Sequence, residues 1–153
     1  MWNGGIVNMY GGTLRDGIAV GRGGAVDASS GAFKMYGGKI CNNTAPTGAG
    51  LYIAGDTILA DGEITGNSGH GVYLTKADAE LRGKLKVYGN TGNQLFLEYN
   101  AAVNTDGLKN GADVHLNPTG ITVLGTNENA AAYATCDTES FSIKKIGGRM
   151  IIA

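Results

Sequence analysis

The chain has 153 residues, enough for one domain, with 27 glycines against two prolines and only two cysteines. Twelve basic and 13 acidic residues leave a net charge of −1, which excludes the cationic surface that holds nucleic acid or an anionic membrane. No apolar run reaches the roughly 18 residues of a spanning helix, and no signal peptide is legible at the start.

Met1-Trp2-Asn3 reads as starting part-way through a structural unit, so the expectation is a fragment of a longer chain or an exposed, stackable end. Val7-Asn8-Met9-Tyr10-Gly11-Gly12-Thr13 then returns, changed, as Phe33-Lys34-Met35-Tyr36-Gly37-Gly38-Lys39, 26 residues on. Gly23-Gly24-Ala25-Val26-Asp27-Ala28 returns as Gly48-Ala49-Gly50-Leu51-Tyr52-Ile53, as Gly69-His70-Gly71-Val72-Tyr73-Leu74 and, more weakly, as Gly92-Asn93-Gln94-Leu95-Phe96-Leu97. A second phrase follows the first three copies: Gly38-Lys39-Ile40-Cys41-Asn42-Asn43, Gly62-Glu63-Ile64-Thr65-Gly66-Asn67 and Lys86-Val87-Tyr88-Gly89-Asn90. Asn43 to Asn67 is 24 residues and Asn67 to Asn90 is 23. A fixed period in the twenties marks stacked units, none of which buries its apolar face alone.

A leucine-rich repeat and a β-helix coil both fit that period. Leucine-rich repeats carry helical segments, whereas glycine interrupts every candidate helix here. Each unit instead holds short alternating runs, such as Leu51-Tyr52-Ile53 and Glu63-Ile64-Thr65, which read as strands with one face in. Three strands and three turns per unit make an all-β, parallel β-helix of about four to five coils, stacked about 4.8 Å apart. Units fall at 23–48, 49–69 and 70–92. The expected inward set is Val26/Ala28, Leu51/Ile53, Val72/Leu74 and Leu95/Leu97, with Leu14, Ile40, Ile64 and Val87 from another strand. Asn43, Asn67 and Asn90 fall at one corner. Asparagine tolerates a left-handed backbone there, and stacked amides bond coil to coil.

From Asn93 the pattern fades. Residues 101–118 keep apolar hints at Val103, Leu108, Val114 and Leu116. A strand over 121–124, a polar connection over 126–132 with a short helical turn, and a hairpin from Phe141 to Ile152 are expected after it. The domain thus divides into coils, 1–97, and a last coil with an atypical C-terminal β cap, 98–153.

Phe33-Lys34-Met35-Tyr36-Gly37-Gly38-Lys39-Ile40-Cys41-Asn42-Asn43-Thr44-Ala45 resembles the glycine- and asparagine-rich β-helix repeats of adhesin-like bacterial surface proteins of gut Firmicutes. These share the right-handed pectate-lyase-like β-helix, so the resemblance implies a right-handed parallel β-helix here. The resemblance covers 5–97 closely and the tail loosely. It implies an extracellular or cell-surface setting and is weak for activity.

The same fold hosts pectin-cleaving enzymes, and two of their motifs have echoes. Gly69-His70-Gly71 and Asn104-Thr105-Asp106 match polygalacturonase motifs, but in reversed order and without the Asp-Asp pair between them. No catalytic set is therefore expected, and no cofactor or metal ligand set. Asp56, Asp61, Glu63, Asp78 and Glu80 lie in neighbouring coils, Lys39, Glu63 and Lys86 form an outward charge ladder, and Arg82 is expected to pair with Asp61. Cys41 reads as a buried or half-buried free thiol, and a Cys41–Cys136 bridge would need the C-terminal segment to fold back over the second coil. Tyr52, Tyr73 and Phe96 share an outward slot on three successive coils. They are the candidate binding residues, a flat stripe for a sugar ring or a protein partner. The reading that follows is a non-catalytic surface or spacer module. A second is a filament-forming subunit joined by homotypic contacts at its coil ends, and a third is a polysaccharide-cleaving enzyme.

Overall fold

The computed structural model describes residues 4–98, 101–120, 122–125, 133–136, 143–146 and 149–152. The expected connection over 126–132 and the opening Met1-Trp2-Asn3 lie outside them.

The chain winds as a parallel β-solenoid of about five turns. The first turn holds β1 (Ile6–Met9), β2 (Thr13–Arg15) and β3 (Val26–Ala28), and the second β4 (Ala32–Met35), β5 (Lys39–Cys41) and β6 (Leu51–Ile53). The third holds β7 (Thr57–Leu59), β8 (Glu63–Thr65) and β9 (Val72–Leu74), and the fourth β10 (Asp78–Gly83), β11 (Lys86–Tyr88) and β12 (Leu95–Leu97). The fifth is β13 (Ala102–Leu108) and β14 (Asp113–Pro118). After it come β15 (Thr122–Gly125), β16 (Ala134–Cys136), β17 (Ile143–Ile146) and β18 (Arg149–Ile152).

Strands β1, β4, β7, β10 and β13 form a five-stranded parallel sheet. The other two faces, β2-β5-β8-β11 and β3-β6-β9-β12, run together into one sheet through β14. Asp113 and Val114 pair with Lys86 and Val87 of β11, and Leu116 to Pro118 pair with Leu95 to Leu97 of β12. The fifth turn has lost the corner that separates these faces elsewhere. The repeat therefore continues past Leu97 through β13 and β14. It escapes a sequence reading because the glycines and asparagines that punctuate it went with the corner.

The alternation places the core. Val26, Ala28, Leu51, Ile53, Val72, Leu74, Leu95 and Leu97 are fully buried, as are Ile40, Ile64 and Val87. Leu14, on the first turn, is only half-buried. Burying a side chain of this size is worth about 1.5–3 kcal/mol, and like stacks on like down the solenoid.

The corner asparagines form a directional ladder. Asn43 donates from its backbone N–H (3.0 Å) and its Nδ2 (2.9 Å) to Asn67 Oδ1. Asn67 donates in the same way to Asn90 Oδ1, at 3.0 and 2.8 Å. Asn90 donates twice to Gln94 Oε1, both at 3.0 Å. At the other end, Gly17 N–H donates to Asn43 Oδ1 at 2.9 Å. The left-handed residues are not these asparagines but their predecessors: Asp16 (φ 60°), Asn42 (φ 57°), Gly66 (φ 66°) and Gly89 (φ 64°). Each backbone turn is thus made one residue early. The ladder asparagine is selected for its amide, which satisfies buried backbone groups, rather than for a left-handed φ.

Beyond the fifth turn, β16 pairs parallel with β14, with Ala134 opposite Val114 and Cys136 opposite Leu116. The expected hairpin forms: β17 and β18 pair antiparallel, with Ile143 opposite Ile152. Strand β15 joins β18 and packs beside β13. Ile152 is fully buried in the main core.

Candidate functional site

Register on the third face places Asp27, Tyr52, Tyr73, Phe96 and Asn117 in one outward slot. The column is as expected, but its shape is not. Tyr52 and Tyr73 stack at 5.6 Å between ring centres, with planes 18° apart. Tyr73 and Phe96 lie 4.9 Å apart at 33°. Strands about 4.8 Å apart turn successive rings face to face along the solenoid. Each ring spends a face on its neighbour, so the column offers solvent its edges and not a flat platform.

Both flanks of the column are occupied. Arg22 lies with Cζ 4.7 Å from the centre of the Tyr52 ring, and its Nε donates to Asp27 Oδ2 at 2.9 Å. Burial alone would raise the Asp27 carboxyl. The hydrogen bond and charge of Arg22, with the Ser29 contacts, outweigh it and hold the carboxyl below its usual range. His70 stacks on Phe96 at 5.0 Å and 21°. It occupies the corner position of Ala49 and Asn93, and its Nδ1 accepts from Asn93 N–H at 3.0 Å. Partial burial lowers the pKa of the imidazole, in keeping with an accepting, unprotonated Nδ1.

Gly21, Arg22, Thr47, Tyr52, Tyr73 and Glu98 line an open cleft of about 430 Å³ beside the column. Burial and the Glu98 carboxylate raise the Tyr73 phenol above its usual value, which keeps it a hydrogen-bond donor at neutral pH. The cleft therefore presents phenol hydroxyls, a threonine hydroxyl, a guanidinium and a carboxylate beside the tyrosine rings. Sequence reasoning missed Arg22 and Glu98. Arg22 sits in the irregular corner of the first turn, and Glu98 just past the last copy of the repeat. The legible signal was Asp27, an acid in the slot that later turns fill with rings.

A second surface lies on the five-stranded sheet. An open groove of about 710 Å³ runs over Lys34, Ile58, Glu80 and Asn104, which share one slot, with Arg149 on its wall. Of the five acids expected to be neighbours, Asp56 and Asp78 line this groove beside Glu80. Glu63 is on another face. Arg82 pairs with Glu80 and not with Asp61, whose Oδ1 accepts the Lys84 N–H at 2.7 Å. The bulge in β10–β13 pairing accounts for Asn104-Thr105-Asp106: the register skips between Glu80 and Arg82, and Asn104 Oδ1 accepts the Asp106 N–H at 2.9 Å. That motif lies on β13 of the five-stranded sheet, whereas Gly69-His70-Gly71 forms the corner before β9.

The outward charge ladder forms, with Lys39 Nζ 3.3 Å from Glu63 and Lys86 in register beyond it. So exposed a pair contributes under about 1 kcal/mol. No disulfide joins Cys41, which is buried, to Cys136, which lies on β16. No family model, curated protein or solved structure matches the chain. The class, a parallel β-solenoid, rests on strand register and burial.

Proposed function

We propose that this chain is a non-catalytic binding module of an extracellular, adhesin-like bacterial surface protein, with the solenoid as a stiff support and the aromatic-column cleft as the ligand site. The likeness of its repeats to adhesin-like β-helix repeats supports the setting. The observation that carries the binding role is the cleft of Arg22, Thr47, Tyr52, Tyr73 and Glu98. Donors and acceptors there converge over ring edges already fixed by stacking, so binding orders few side chains. Such a lining suits a neutral, polyhydroxylated glycan, whose hydroxyls both donate and accept.

The test is a glycan array probed with labelled protein, alongside Tyr73→Ala and Tyr73→Phe. Expected is retention of a hydroxyl-rich oligosaccharide, at least tenfold weaker for Tyr73→Ala and partly weakened for Tyr73→Phe. Equal retention of all three proteins, or none by the unmodified chain, would remove this site from the reading.

A further inference from the structure

Arg22 and Glu98 both line the cleft beside the aromatic column, but their charges are differently engaged. Arg22 is committed within the chain. Its Nε donates to Asp27 Oδ2 at 2.9 Å, and its guanidinium lies over the Tyr52 ring. Asp27 is fixed from its other side, where Oδ1 accepts the Ser29 N–H at 3.0 Å. Its slot carries a ring in each of the next three turns, so a carboxylate there departs from the repeat. Glu98 accepts from the Tyr73 phenol, a neutral donor, and no ion pair joins it to a cation among the described residues. Two carboxylates and one guanidinium therefore leave one negative charge in excess at the cleft.

We propose that Asp27 and Glu98 set the charge selectivity of this cleft, so that it takes uncharged glycans and turns away those that carry carboxylates. This rests on the glycan reading above and adds the residues that decide which glycans enter. A guanidinium fork is matched to a carboxylate in shape and charge. Asp27 supplies that carboxylate from within the chain, cancels the charge and occupies Nε. An incoming uronate would have to displace Asp27 or share the guanidinium with it, and it would meet Glu98 as a like charge. A hydroxyl meets neither cost. It donates to Glu98 and accepts from the donors that Arg22 keeps. The Tyr52 ring also holds the guanidinium, so removing the charge of Asp27 should uncover a carboxylate site without collapsing the cleft.

The experiment compares retention of matched oligosaccharides: hexose oligomers, and hexuronate oligomers that differ only in carrying a carboxylate for each hydroxymethyl group. The proteins are the unmodified chain, Asp27→Asn, Glu98→Gln, and Asp27→Asn combined with Arg22→Gln. Asparagine keeps the shape of Asp27 and an oxygen for the Ser29 N–H, and glutamine keeps an acceptor for the Tyr73 phenol. Circular dichroism checks that each variant folds. The unmodified chain should retain hexose over hexuronate oligomers. Asp27→Asn should raise the hexuronate-to-hexose ratio at least tenfold and Glu98→Gln about threefold. Both gains should shrink as salt is raised. Arg22→Gln should abolish the gain made by Asp27→Asn.

A ratio unmoved by both single variants, while hexose retention still depends on Tyr73, would overturn this proposal and leave the glycan site standing. A hexuronate preference in the unmodified chain would overturn it too, as would a gain in Asp27→Asn that survives Arg22→Gln. No retention of any oligomer by the unmodified chain would remove the glycan reading itself, and the proposal with it.

Discussion

The first and last turns of the solenoid are built differently. At the C-terminal end, Gln94 supplies the last oxygen of the asparagine ladder, β14 removes the corner that a further asparagine would occupy, and β16 takes the outer edge of β14. Ile152 then fills the core from beyond the last turn. At the N-terminal end, the ladder begins on a backbone N–H, Leu14 is half-buried where Ile40 is fully buried, and Ile6, Tyr10, Ile18 and Val20 point outward. A repeat carries no instruction about where to finish. Closure is written by residues that depart from it, as Gln94, β14 and β16 do after the fourth turn.

The largest effect should come from undoing that closure. Ile152→Ala removes a fully buried side chain and should cost about 2–5 kcal/mol, read as a lowered urea midpoint. Hydrogen exchange should show β14 and β16 opening well before β4 to β9. Uniform loss across the turns, or a cost below about 1 kcal/mol, would mean that Ile152 does not hold this end shut. A smaller effect is expected at the ladder terminus. Gln94→Ala strips an acceptor from two Asn90 donors and should cost about 1–2 kcal/mol. Gln94→Glu keeps the accepting oxygen but loses the Nε2 donations to the Asn90 and Gly92 carbonyls, both at 3.2 Å, so it should recover only part of it. If both variants match the unmodified chain, water serves the ladder as well as a side chain does.

The solenoid was legible because its period, alternation and corner asparagines all report the same geometry. Every inward residue of the third face from Val26 to Leu97 is buried as expected. The fifth turn was not legible, since β14 fuses two strands and drops the punctuation by which turns are counted. Within the candidate site, the slot shared by Tyr52, Tyr73 and Phe96 follows from strand period alone. Ring orientation does not, because it depends on side-chain packing between turns. Nor do Arg22 and Glu98, which reach the column from segments outside the repeat. Arg82 was assigned the wrong acid for a related reason: Glu80 lies two residues away on the same face of its own strand, closer than Asp61 on the preceding turn.

The smallest effect concerns the corner beside the ladder's end, where His70 joins the third turn to the fourth. Its Nδ1 accepts the Asn93 N–H, and its ring stacks on Phe96. Protonation would turn that acceptor into a donor facing a donor. Partial burial already lowers the pKa in the folded chain, so between that value and the ordinary 6.5 the unfolded chain binds more protons. The stabilisation is therefore complete above pH 6.5 and is lost as pH falls through the folded value. One hydrogen bond at a half-buried corner sets the scale on the order of 1 kcal/mol. The side chain introduced by His70→Asn does not titrate, and its amide oxygen would stand near the position of Nδ1. The difference in melting temperature between the unmodified chain and His70→Asn, followed from pH 7.5 to pH 5, isolates the effect from His115 and the carboxylates, which both proteins share. It should shift in favour of the variant as pH falls. A constant difference would mean that the corner holds without the imidazole's lone pair, and that the solenoid's integrity at this end rests on Gln94 and the core alone.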